Sequence, residues 1–546
     1  MSEQLPLQRF NHWLAAQPDR VWLRQPVNGQ WHDFTWRQVD EQARRLASAL
    51  LALGCVAGDR VALLAKNCAE WFISDLAIQH AGLVSVPLYP LQAPEQIAYV
   101  LEHAGCKVIL VGKLDDPDKL AGGIGAHITR IAMPYPTMAA AHDWHSLLAR
   151  HEPLQGTRVQ QPDELLSILY TSGTTGLPKG VMLSALAMAF SGAHATAELG
   201  IGPRDQFFSY LPLSHAAERF LVEFNSLYSG ASVAFVESLE TFASDLRHIR
   251  PTVFFSVPRL WTRFQQGVLE KLPAAKLDRL LRIPLLGALL ARKIRYGLGL
   301  DRARILVSGA AAISTGLLQW YQRLGLIICE GYGMTEHFAY GCFNRPGQVR
   351  LGTVGRPMPG LQVRIDDSGE ILLRSVTLMQ GYYCDPQKTA ETLRDGWLHT
   401  GDKGQLDADG YLRITGRVKD IFKTSKGKYV APAPIEGEIA KSNWVEQVCL
   451  MGSNLDQPLA LIELSPAARL QPEAQVGADL QRDLAELNGR LEPHERISHF
   501  VLVREPWTVD NGCMTPTMKI RRNVLESRYA ELIASLPARQ PLVWEH

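Results

Sequence analysis

The sequence has no cysteine pattern of the kind that secreted disulfide scaffolds use. Its eight cysteines are scattered over 546 residues, and no two of them form a C-x-x-C pair. A chain of this length can bury a core of its own and needs no disulfide framework. We therefore expect a protein of the reducing cytoplasm.

Long apolar runs and a signal sequence are also missing. No stretch offers the roughly 18 uninterrupted apolar residues that a membrane-spanning helix needs, and the start, Met1-Ser2-Glu3-Gln4, lacks the basic segment and apolar core of a signal peptide. Secretion and membrane spanning are both disfavoured. The stretch Ile283 to Ala291 lies among lysines and arginines. It is typical either of a basic amphipathic helix that touches lipid or of a solvated rim around a core helix.

An excess of charge of one sign is missing too. Lysine and arginine number 56 against 55 aspartate and glutamate residues, which gives a net charge of +1. No global field attracts nucleic acid or anionic lipid, so any nucleotide must be bound locally. Hydrophobic residues make up 46% and charged residues 20%, which excludes a disordered or collagen-like chain. The length predicts three or four structural units at roughly 150 residues each.

Helix-like and strand-like patterns alternate through most of the first 400 residues. Between residues 34 and 111, helical spacing over Trp36 to Leu53 and Glu70 to Ala81 alternates with short apolar runs at Arg60 to Ala65 and Val84 to Leu88. Such alternation predicts βαβ units and an α/β fold with mostly parallel sheets in several layers.

The pattern changes near residue 350. Alternating segments at Gln362 to Ile365 and Glu370 to Arg374 flank a turn at Asp366 to Gly369, which predicts a β-rich subdomain at about 350–418. The last part mixes short strands with helical runs, at Asp479 to Gly489 and Arg521 to Ala534, and is long enough for a small α+β unit. We expect a large N-terminal domain at 1–418 and a small C-terminal domain at 419–546.

The strongest local signal is the segment Leu169-Tyr170-Thr171-Ser172-Gly173-Thr174-Thr175-Gly176-Leu177-Pro178-Lys179-Gly180, directly after a predicted strand. Phosphate binding needs bare backbone N–H groups, hydroxyl donors and a cation close together, and this loop holds all three. Its spacing does not fit the G-x-x-x-x-G-K-[ST] loop, so it is not that of a P-loop NTPase.

This segment resembles the signature loop of the acyl-activating, adenylate-forming (AMP-binding) superfamily, and the chain is most similar to its long-chain fatty acyl-CoA synthetases. The resemblance recurs in order from about residue 30 to residue 530. It implies a mobile C-terminal cap and the use of ATP, Mg²⁺ and CoA. On this resemblance the loop residues that bind nucleotide are Thr171, Ser172, Gly173, Thr174, Thr175, Gly176 and Lys179.

The segment Leu211-Pro212-Leu213-Ser214-His215 resembles the family segment whose histidine, here His215, borders the acyl pocket. The following Ala216-Ala217-Glu218-Arg219 resembles the long-chain branch of the family. A single histidine in an apolar stretch is otherwise usually a satisfied core residue, and that alternative stays open.

Two further segments resemble the adenine and magnesium segments of the family. Small residues let a planar base lie against the backbone, Tyr332 can stack on it, Thr335 can donate to the α-phosphate, and Glu336 offers a hard oxygen ligand for Mg²⁺. The predicted nucleotide-binding residues here are Gly309, Ala310, Ala311, Gly331, Tyr332 and Gly333, and the predicted catalytic residues are Thr335 and Glu336, the latter also the metal ligand.

Three segments match the ribose-binding stretch of the family: Gly381-Tyr382-Tyr383, then Asp395-Gly396-Trp397-Leu398-His399-Thr400-Gly401-Asp402, and finally Asp409-Gly410-Tyr411 with Gly416-Arg417. A carboxylate has two acceptor oxygens for the two hydroxyls of ribose, so Asp402 is predicted to bind them. Arg417 is predicted to hold ribose or phosphate.

The last motifs lie at the hinge and near the C-terminus. Val418-Lys419-Asp420 resembles the family hinge, with Lys419 at the pivot. The segment Asn511 to Lys519 resembles the C-terminal lysine motif, in which Lys519 is the catalytic cation. A surface lysine would be the ordinary interpretation of either residue alone.

The function implied is an AMP-forming acid:CoA ligase that activates a fatty or other hydrophobic carboxylic acid as its acyl-adenylate. One alternative is an acyl-AMP ligase that loads a carrier protein. The other is a non-catalytic nucleotide binder on the same fold. Acyl chain length, oligomeric state and metabolic pathway are not readable from the sequence.

Overall fold

A computed structural model of the protein describes residues 3–171, 177–418, 420–515, 519–537 and 540–545. The first range alternates helices and strands, as its apolar spacing predicts. Its elements are α1 Pro6–Ala16, β1 Val21–Val27, β2 Gln30–Thr35, α2 Trp36–Ala52, β3 Arg60–Ala65, α3 Ala69–His80, β4 Val84–Pro87, α4 Pro94–Ala104, β5 Val108–Gly112, α5 Pro117–Ala121, β6 Thr129–Ala132, β7 His142–Asp143, α6 Trp144–Arg150 and β8 Leu165–Thr171.

The second range continues the alternation and then becomes β-rich. Its elements are β9 Lys179–Ser184, α7 Ala185–Glu198, β10 Gln206–Ser209, α8 Ala216–Glu218, the π-helix Arg219–Phe224, α9 Asn225–Ser229, β11 Ser232–Phe235, α10 Phe242–Ile249, β12 Val253–Ser256, α11 Pro258–Lys271, α12 Ala274–Leu281, α13 Leu286–Gly297, β13 Ile305–Ser308, α14 Thr315–Arg323, β14 Ile328–Tyr332, a 3₁₀ turn Thr335–His337, β15 Cys342–Phe343, β16 Arg356–Pro357, β17 Gln362–Ile365, β18 Glu370–Arg374, β19 Gly381–Tyr382, α15 Pro386–Thr392, β20 Leu393–Arg394, β21 Trp397–Leu406 and β22 Leu412–Arg417.

The remaining ranges form the C-terminal part. Its elements are β23 Phe422–Lys423, β24 Tyr429–Val430, α16 Pro432–Ile439, β25 Val445–Met451, β26 Leu459–Leu464, a 3₁₀ turn Ala468–Leu470, α17 Glu473–Asn488, β27 Phe500–Val503, α18 Arg522–Arg528, α19 Ala530–Ala534 and β28 Leu542–Trp544.

Two large sheets build the N-terminal part. One has the strand order β16-β15-β14-β13-β12-β10-β11-β1-β2 and the other β19-β9-β8-β4-β3-β5-β6-β7. The inner pairs of both are parallel, and antiparallel pairs lie toward the edges. The predicted α/β class with mostly parallel sheets is confirmed.

Helix α3 is buried along its whole length and belongs to the core cluster that also contains residues of both large sheets. A helix that is apolar nearly all round is stable only when it is covered on every side. Its polar residues Glu70 and Asp75 therefore need partners inside the protein, and they have Tyr135 and Arg219.

The β-rich subdomain is an antiparallel sheet of order β17-β18-β21-β20, with β22 on β21. The C-terminal part has its own apolar clusters around a four-stranded sheet, β25-β26-β27-β28. The domain boundary at 418/419 stays a prediction, because Lys419 is outside the described residues.

Two predicted helices differ from those observed. The helix expected over Ile283 to Ala291 begins only at Leu286, because Ile283-Pro284-Leu285 forms the turn between α12 and α13. The helical run predicted over Arg521 to Ala534 is divided at Tyr529 into α18 and α19. Within the described ranges, no helix is long and apolar enough to cross a membrane.

Candidate active site

Several of the predicted site residues follow the carboxyl ends of parallel strands in the nine-stranded sheet. His215 comes after β10, Gly309 to Ala311 come after β13, and Gly333 to Glu336 come after β14. In open α/β sheets this edge is where ligands bind, because the loops there converge. The sheet topology thus gathers segments that are up to 121 residues apart at one edge.

Asp402 is the centre of one polar cluster. Its Oδ2 accepts a hydrogen bond from the Tyr332 hydroxyl at 2.6 Å, and its Oδ1 pairs with Arg417 Nε at 3.0 Å. Asp402 and Arg417 are cross-strand partners on β21 and β22, so the hairpin sets their distance. Burial first, and then the Asp402 charge, raise the pKa of Tyr332 well above its ordinary value, so its hydroxyl stays protonated and donates.

Glu336 is held by a second cluster. Its Oε1 accepts a hydrogen bond from the Tyr382 hydroxyl at 2.8 Å, and Lys179 Nζ lies 5.4 Å from the centre of the Tyr382 ring. Tyr382 is on β19, which pairs with Val181 on β9, the strand that begins at Lys179. Tyr382 therefore joins the predicted metal ligand to the end of the predicted phosphate loop.

The turn that carries Thr335 and Glu336 is fixed from behind by His337. Its ring accepts or donates hydrogen bonds with Ser375 Oγ at 3.1 Å and Thr377 Oγ1 at 3.0 Å. Burial lowers the pKa of His337 to about 3, so the ring is neutral. The turn itself is tight, because a Cβ on Gly333 would lie 2.3 Å from the backbone oxygen of Ala339.

Lys519, a residue of the C-terminal part, interacts electrostatically with both of these clusters. Desolvation lowers the pKa of Lys519, the positive charge of Arg417 lowers it further, and Asp402 and Glu336 act in the opposite direction. Charge interactions weaken with distance, so these three groups lie in the neighbourhood of the lysine. Lys519 is therefore within electrostatic range of both clusters, and it is exposed to solvent.

His215 lies beside the same lysine. Burial, and after it the charge of Lys519, lower the pKa of His215 to about 4, so the imidazole is neutral near pH 7. Its Nδ1 accepts a hydrogen bond from the backbone N–H of Ala217 at 3.1 Å. His215 thus caps α8 through a hydrogen bond within its own segment, and the alternative of a satisfied core histidine stays open.

Glu218 follows on the same helix and is 1% exposed. Its Oε1 accepts hydrogen bonds from Ser209 Oγ at 2.8 Å and from the Tyr210 N–H at 3.2 Å, and the Asn67 amide approaches at 3.3 Å. Its Oε2 has no hydrogen-bond partner in the described part of the chain. Burial raises the pKa of Glu218 to about 8, which favours the neutral acid.

The other predicted residues divide into two groups. In the first group, Gly309 is buried, and Ala310 and Ala311 are exposed. Ala310 has a φ of 65°, which lies in the left-handed region. Five loop residues and the hinge lie outside the described residues: Ser172, Gly173, Thr174, Thr175, Gly176 and Lys419.

Three functional candidates were not predicted as site residues. Tyr382, His337 and Glu218 are held by contacts between residues far apart in the chain. Tyr382 lies in the Gly381-Tyr382-Tyr383 run, which gives a motif but no partner. Glu218 lies in the Ala216 to Arg219 segment that resembles the long-chain branch, which likewise gives a motif but no partner, and no spacing signal marks His337.

Glu336 has the donor type that Mg²⁺ prefers. It offers carboxylate oxygens at a half-buried position beside Thr335, and one of them already accepts the Tyr382 hydrogen bond. Mg²⁺ binds through one or two carboxylates together with substrate phosphates, so this set fits that ion.

The order of these segments and their meeting at one edge match a known family. Residues 10–383 match the model for "AMP-binding enzyme", and residues 419–540 match that for "AMP-binding enzyme C-terminal domain". The chain belongs to the AMP-binding enzyme family. The resemblance stated from the motifs is confirmed.

Curated members of this AMP-binding family are similar over almost the whole chain. Long-chain-fatty-acid–CoA ligase FadD15 of Mycobacterium bovis is 31% identical over 95% of this chain and 94% of its own length. Fatty acyl-CoA synthetase A of Dictyostelium discoideum is 30% identical over 94% of this chain and 87% of its own length. The similarity therefore covers both the N-terminal and the C-terminal part.

Solved structures of AMP-binding enzymes share the fold. The anthranilate CoA ligase AuaEII in complex with anthranoyl-AMP superposes with a TM-score of 0.81 at 24% identity and covers 98% of this chain and 99% of that one. ATP-bound MatB from Rhodopseudomonas palustris has a TM-score of 0.77 at 25% identity, over 97% of this chain and 99% of its own.

Proposed function

We propose that this AMP-binding enzyme is an ATP-dependent acid:CoA ligase that forms AMP. The observation that supports the proposal is that the charges of Arg417, Asp402 and Glu336 all act on Lys519, while Asp402 is bound by Tyr332 and Arg417. A cation from the C-terminal part at this point is what the first reaction of the family requires. The long-chain ligases among its relatives support a fatty acid as substrate.

The first reaction joins the acid to AMP. A carboxylate oxygen attacks the α-phosphorus of ATP, a P–O bond forms, and the bond to the leaving pyrophosphate breaks. The attacking group and the α-phosphate are both negative, so fixed positive charge and donors must offset their repulsion. Lys519 and Thr335 are proposed to supply them, and Lys179 is proposed to hold the β- and γ-phosphates.

We propose that Glu336 holds Mg²⁺ together with the phosphates of ATP. Bound there, the ion neutralises charge on the phosphate oxygens as pyrophosphate leaves. The Tyr382 hydrogen bond keeps the Glu336 carboxylate in one orientation. Asp402 is proposed to bind the ribose; each of its oxygens has a second acceptor position beside the hydrogen bonds that it already accepts.

The second reaction transfers the acyl group to sulfur. The CoA thiolate attacks the acyl carbonyl, an S–C bond forms, and AMP leaves with the electron pair of the broken C–O bond. A lysine at the reacting carbonyl would obstruct the thiol, so the C-terminal part must move between the steps. We propose Lys419 as the pivot and the division 1–418 and 419–546 as the two moving bodies.

The acid is proposed to be apolar, because His215 is neutral near pH 7 and the helix that follows it carries buried aromatic side chains. Phe220 and Phe224 pack edge-on or tilted against Phe338, with ring centres 6.0 Å and 5.3 Å apart. An apolar acid also partitions into membranes, so we propose that the enzyme works at a lipid surface without spanning it.

Labelled pyrophosphate exchange into ATP tests the first reaction. Purified protein is given ATP, Mg²⁺ and fatty acids of graded length, with free amino acids and aromatic acids as matched non-lipid substrates. Exchange that depends on an apolar acid supports the proposal. Absence of exchange with every acid would mean that the chain is a nucleotide binder.

The acceptor is tested separately. Supplied acyl-adenylate is offered either free CoA or a carrier protein that bears phosphopantetheine, and thioester is measured by mass. We expect the CoA thioester. Transfer to the carrier protein alone would identify an acyl-AMP ligase instead.

A further inference from the structure

The turn between α12 and α13 exposes an unusual number of apolar side chains. Leu285 is 82% exposed and Leu289 is 64% exposed, with Ile283 and Leu286 at 44% and 46%. Single exposed leucines are common on soluble proteins, but a contiguous group marks a surface that contacts something. These four residues are called the apolar tip.

The apolar tip is built on a packed base. Leu277 of α12 and Ala291 of α13 are buried in the apolar cluster that contains Trp261 and Tyr321. The two helices meet closely at Gly287, where a Cβ would lie 2.5 Å from the backbone oxygen of Leu281. The tip is therefore held outward by a rigid helical hairpin and is not a frayed end.

Leu285 has a backbone conformation that points to a specific role. Its φ of 64° lies in the left-handed region, which residues with side chains rarely adopt. No buried contact of its side chain offsets the free-energy cost of this conformation, because Leu285 is among the most exposed apolar residues of the described chain. Strain at an exposed apolar residue is typical of a contact made outside the molecule.

The charge around the tip is strongly positive. Residues 271–297 contain seven lysines and arginines and one acid, Asp278, whereas the whole chain has a net charge of +1. Asp278 is engaged by Arg323 at 2.5 Å. Among the described residues no ion pair forms at the six exposed cations of this segment: Lys271, Lys276, Arg279, Arg282, Arg292 and Lys293.

We propose that this hairpin docks the protein on an anionic lipid bilayer, with the apolar tip in the interface and the cations on lipid headgroups. An apolar tip surrounded by lysines and arginines is the composition of a peripheral membrane anchor. The charged ends of these long side chains reach the lipid headgroups, while their apolar stems lie along apolar surface. The bilayer is favoured over a second copy of the chain as the partner. A two-fold contact would bring the lysines and arginines of the two copies together, and like charges repel. The inference rests on this surface and not on ligase activity.

The test is flotation of the full chain with lipid vesicles, without nucleotide or fatty acid. Vesicles contain phosphatidylcholine alone or with about 30% phosphatidylglycerol. We expect binding to the anionic vesicles only, weakened at high salt. The double variant Leu285→Ser/Leu289→Ser should bind about tenfold or more weakly, and Arg279→Gln/Arg282→Gln should lose the preference for anionic lipid.

The matched control is Leu239→Ser/Leu470→Ser, which changes two leucines that are 78% and 84% exposed elsewhere. It should bind as the parent does, and all variants should keep the parent's thermal unfolding midpoint. The proposal is overturned by a parent that does not bind anionic vesicles, or by a tip variant that binds them unchanged. It is also overturned if the tip variant converts an oligomer to a monomer in sedimentation, since the tip is then a contact between copies.

Discussion

At the scale of single residues, the candidate site combines positive and negative side chains, and burial shifts the pKa values of Lys519 and His215. Lys519 and Arg417 are positive, Asp402 and Glu336 are negative, and the neutral His215 adds no charge to the group. The pKa of Lys519 is lowered from its ordinary value of 10.5. Its ammonium form is therefore lost at a lower pH than that of a lysine with an ordinary pKa. The cation is therefore more sensitive to alkaline pH than a lysine with an ordinary pKa.

Lys519→Ala should reduce acyl-adenylate formation by about two orders of magnitude, the scale of losing one charge-stabilising group. Thioester formation from supplied adenylate should largely remain, because it does not use that cation. In the parent, adenylate formation should fall at alkaline pH before thioester formation does. Rates of the two half-reactions across pH measure both effects.

The matched control for this change is Lys441→Ala, a surface lysine of the same C-terminal part that pairs with Glu438 at 2.5 Å. It should leave both half-reactions unchanged. A Lys519→Ala protein that loses thioester formation and keeps adenylate formation would assign the lysine to the other step.

Glu218→Gln should stabilise the protein above neutral pH. The raised folded-state pKa of about 8, against an ordinary 4.5, means that stability is fully present below pH 4.5 and is lost as pH rises toward 8. Glutamine keeps the Oε1 acceptor for Ser209 and Tyr210 and carries no charge. We expect a gain of about 4 kcal/mol at pH 8 and of less than about 1 kcal/mol near pH 5.

Thermal unfolding at pH 5 and pH 8 measures this gain. Glu438→Gln, on the surface of the C-terminal part, is the control and should show no such difference. Equal stability of the parent and Glu218→Gln at pH 8 would show that Glu218 carries no buried charge penalty.

At the scale of elements, the helix from Ala216 to Ser229 shows how a buried charge is accommodated. Its middle is the π-helix Arg219–Phe224, a form that is frequent at functional sites. Arg219 is 1% exposed and lies 2.8 Å from both Asp75 of α3 and Glu223, and it donates to Ser167 of β8 at 2.8 Å. One guanidinium thus ties the site helix to α3 and to the second large sheet.

Arg219→Met should destabilise the N-terminal part by about 3–5 kcal/mol, because it leaves Asp75 and Glu223 buried without a cation. The triple variant Asp75→Asn/Arg219→Met/Glu223→Gln removes the whole charge group and should recover part of that loss. Denaturant unfolding followed by tryptophan fluorescence measures the order of the three proteins. A triple variant less stable than Arg219→Met would contradict the explanation.

At the scale of the whole molecule, the described arrangement has Lys519 within electrostatic range of the N-terminal site, and we propose that this arrangement serves adenylate formation. Outside the site, Glu446 of β25 pairs with Arg259 of α11 and approaches Arg263 at 3.7 Å. A second link, Lys119 to Asp510 at 2.9 Å, is largely exposed. Exposed ion pairs contribute little free energy, and of these two links the Glu446–Arg259 pair is the less exposed. We therefore expect the Glu446 pair to bias the position of the C-terminal part.

Arg259→Ala should therefore slow adenylate formation about threefold and leave thioester formation unchanged or faster, because it removes a contact of one arrangement only. Lys119→Ala is the matched control and should change neither rate. The measurement is the ratio of the two half-reaction rates. A ratio equal to that of the parent would mean that the pair does not select the arrangement.

The sequence by itself determined the class and order of the structure. The alternation that predicts β3, α3 and β4 depends on local spacing, and the bounds of β17 and β18 agree with the predicted ones, because period and turn chemistry act over a few residues. The motif order also determined the family. Local spacing did not place the start of α13, since the strained turn at Leu285 is set by packing of the hairpin base.

Only the tertiary structure decided which side chains face one another. Tyr332 and Asp402 are 70 residues apart, and Glu336 and Tyr382 are 46 apart, yet both pairs are within hydrogen-bond distance. The neutral state of His215, the raised pKa of Glu218 and the lowered pKa of Lys519 arise from burial by several elements at once. Desolvation and charge act through space, so they exist only after the sheets and the C-terminal part are assembled.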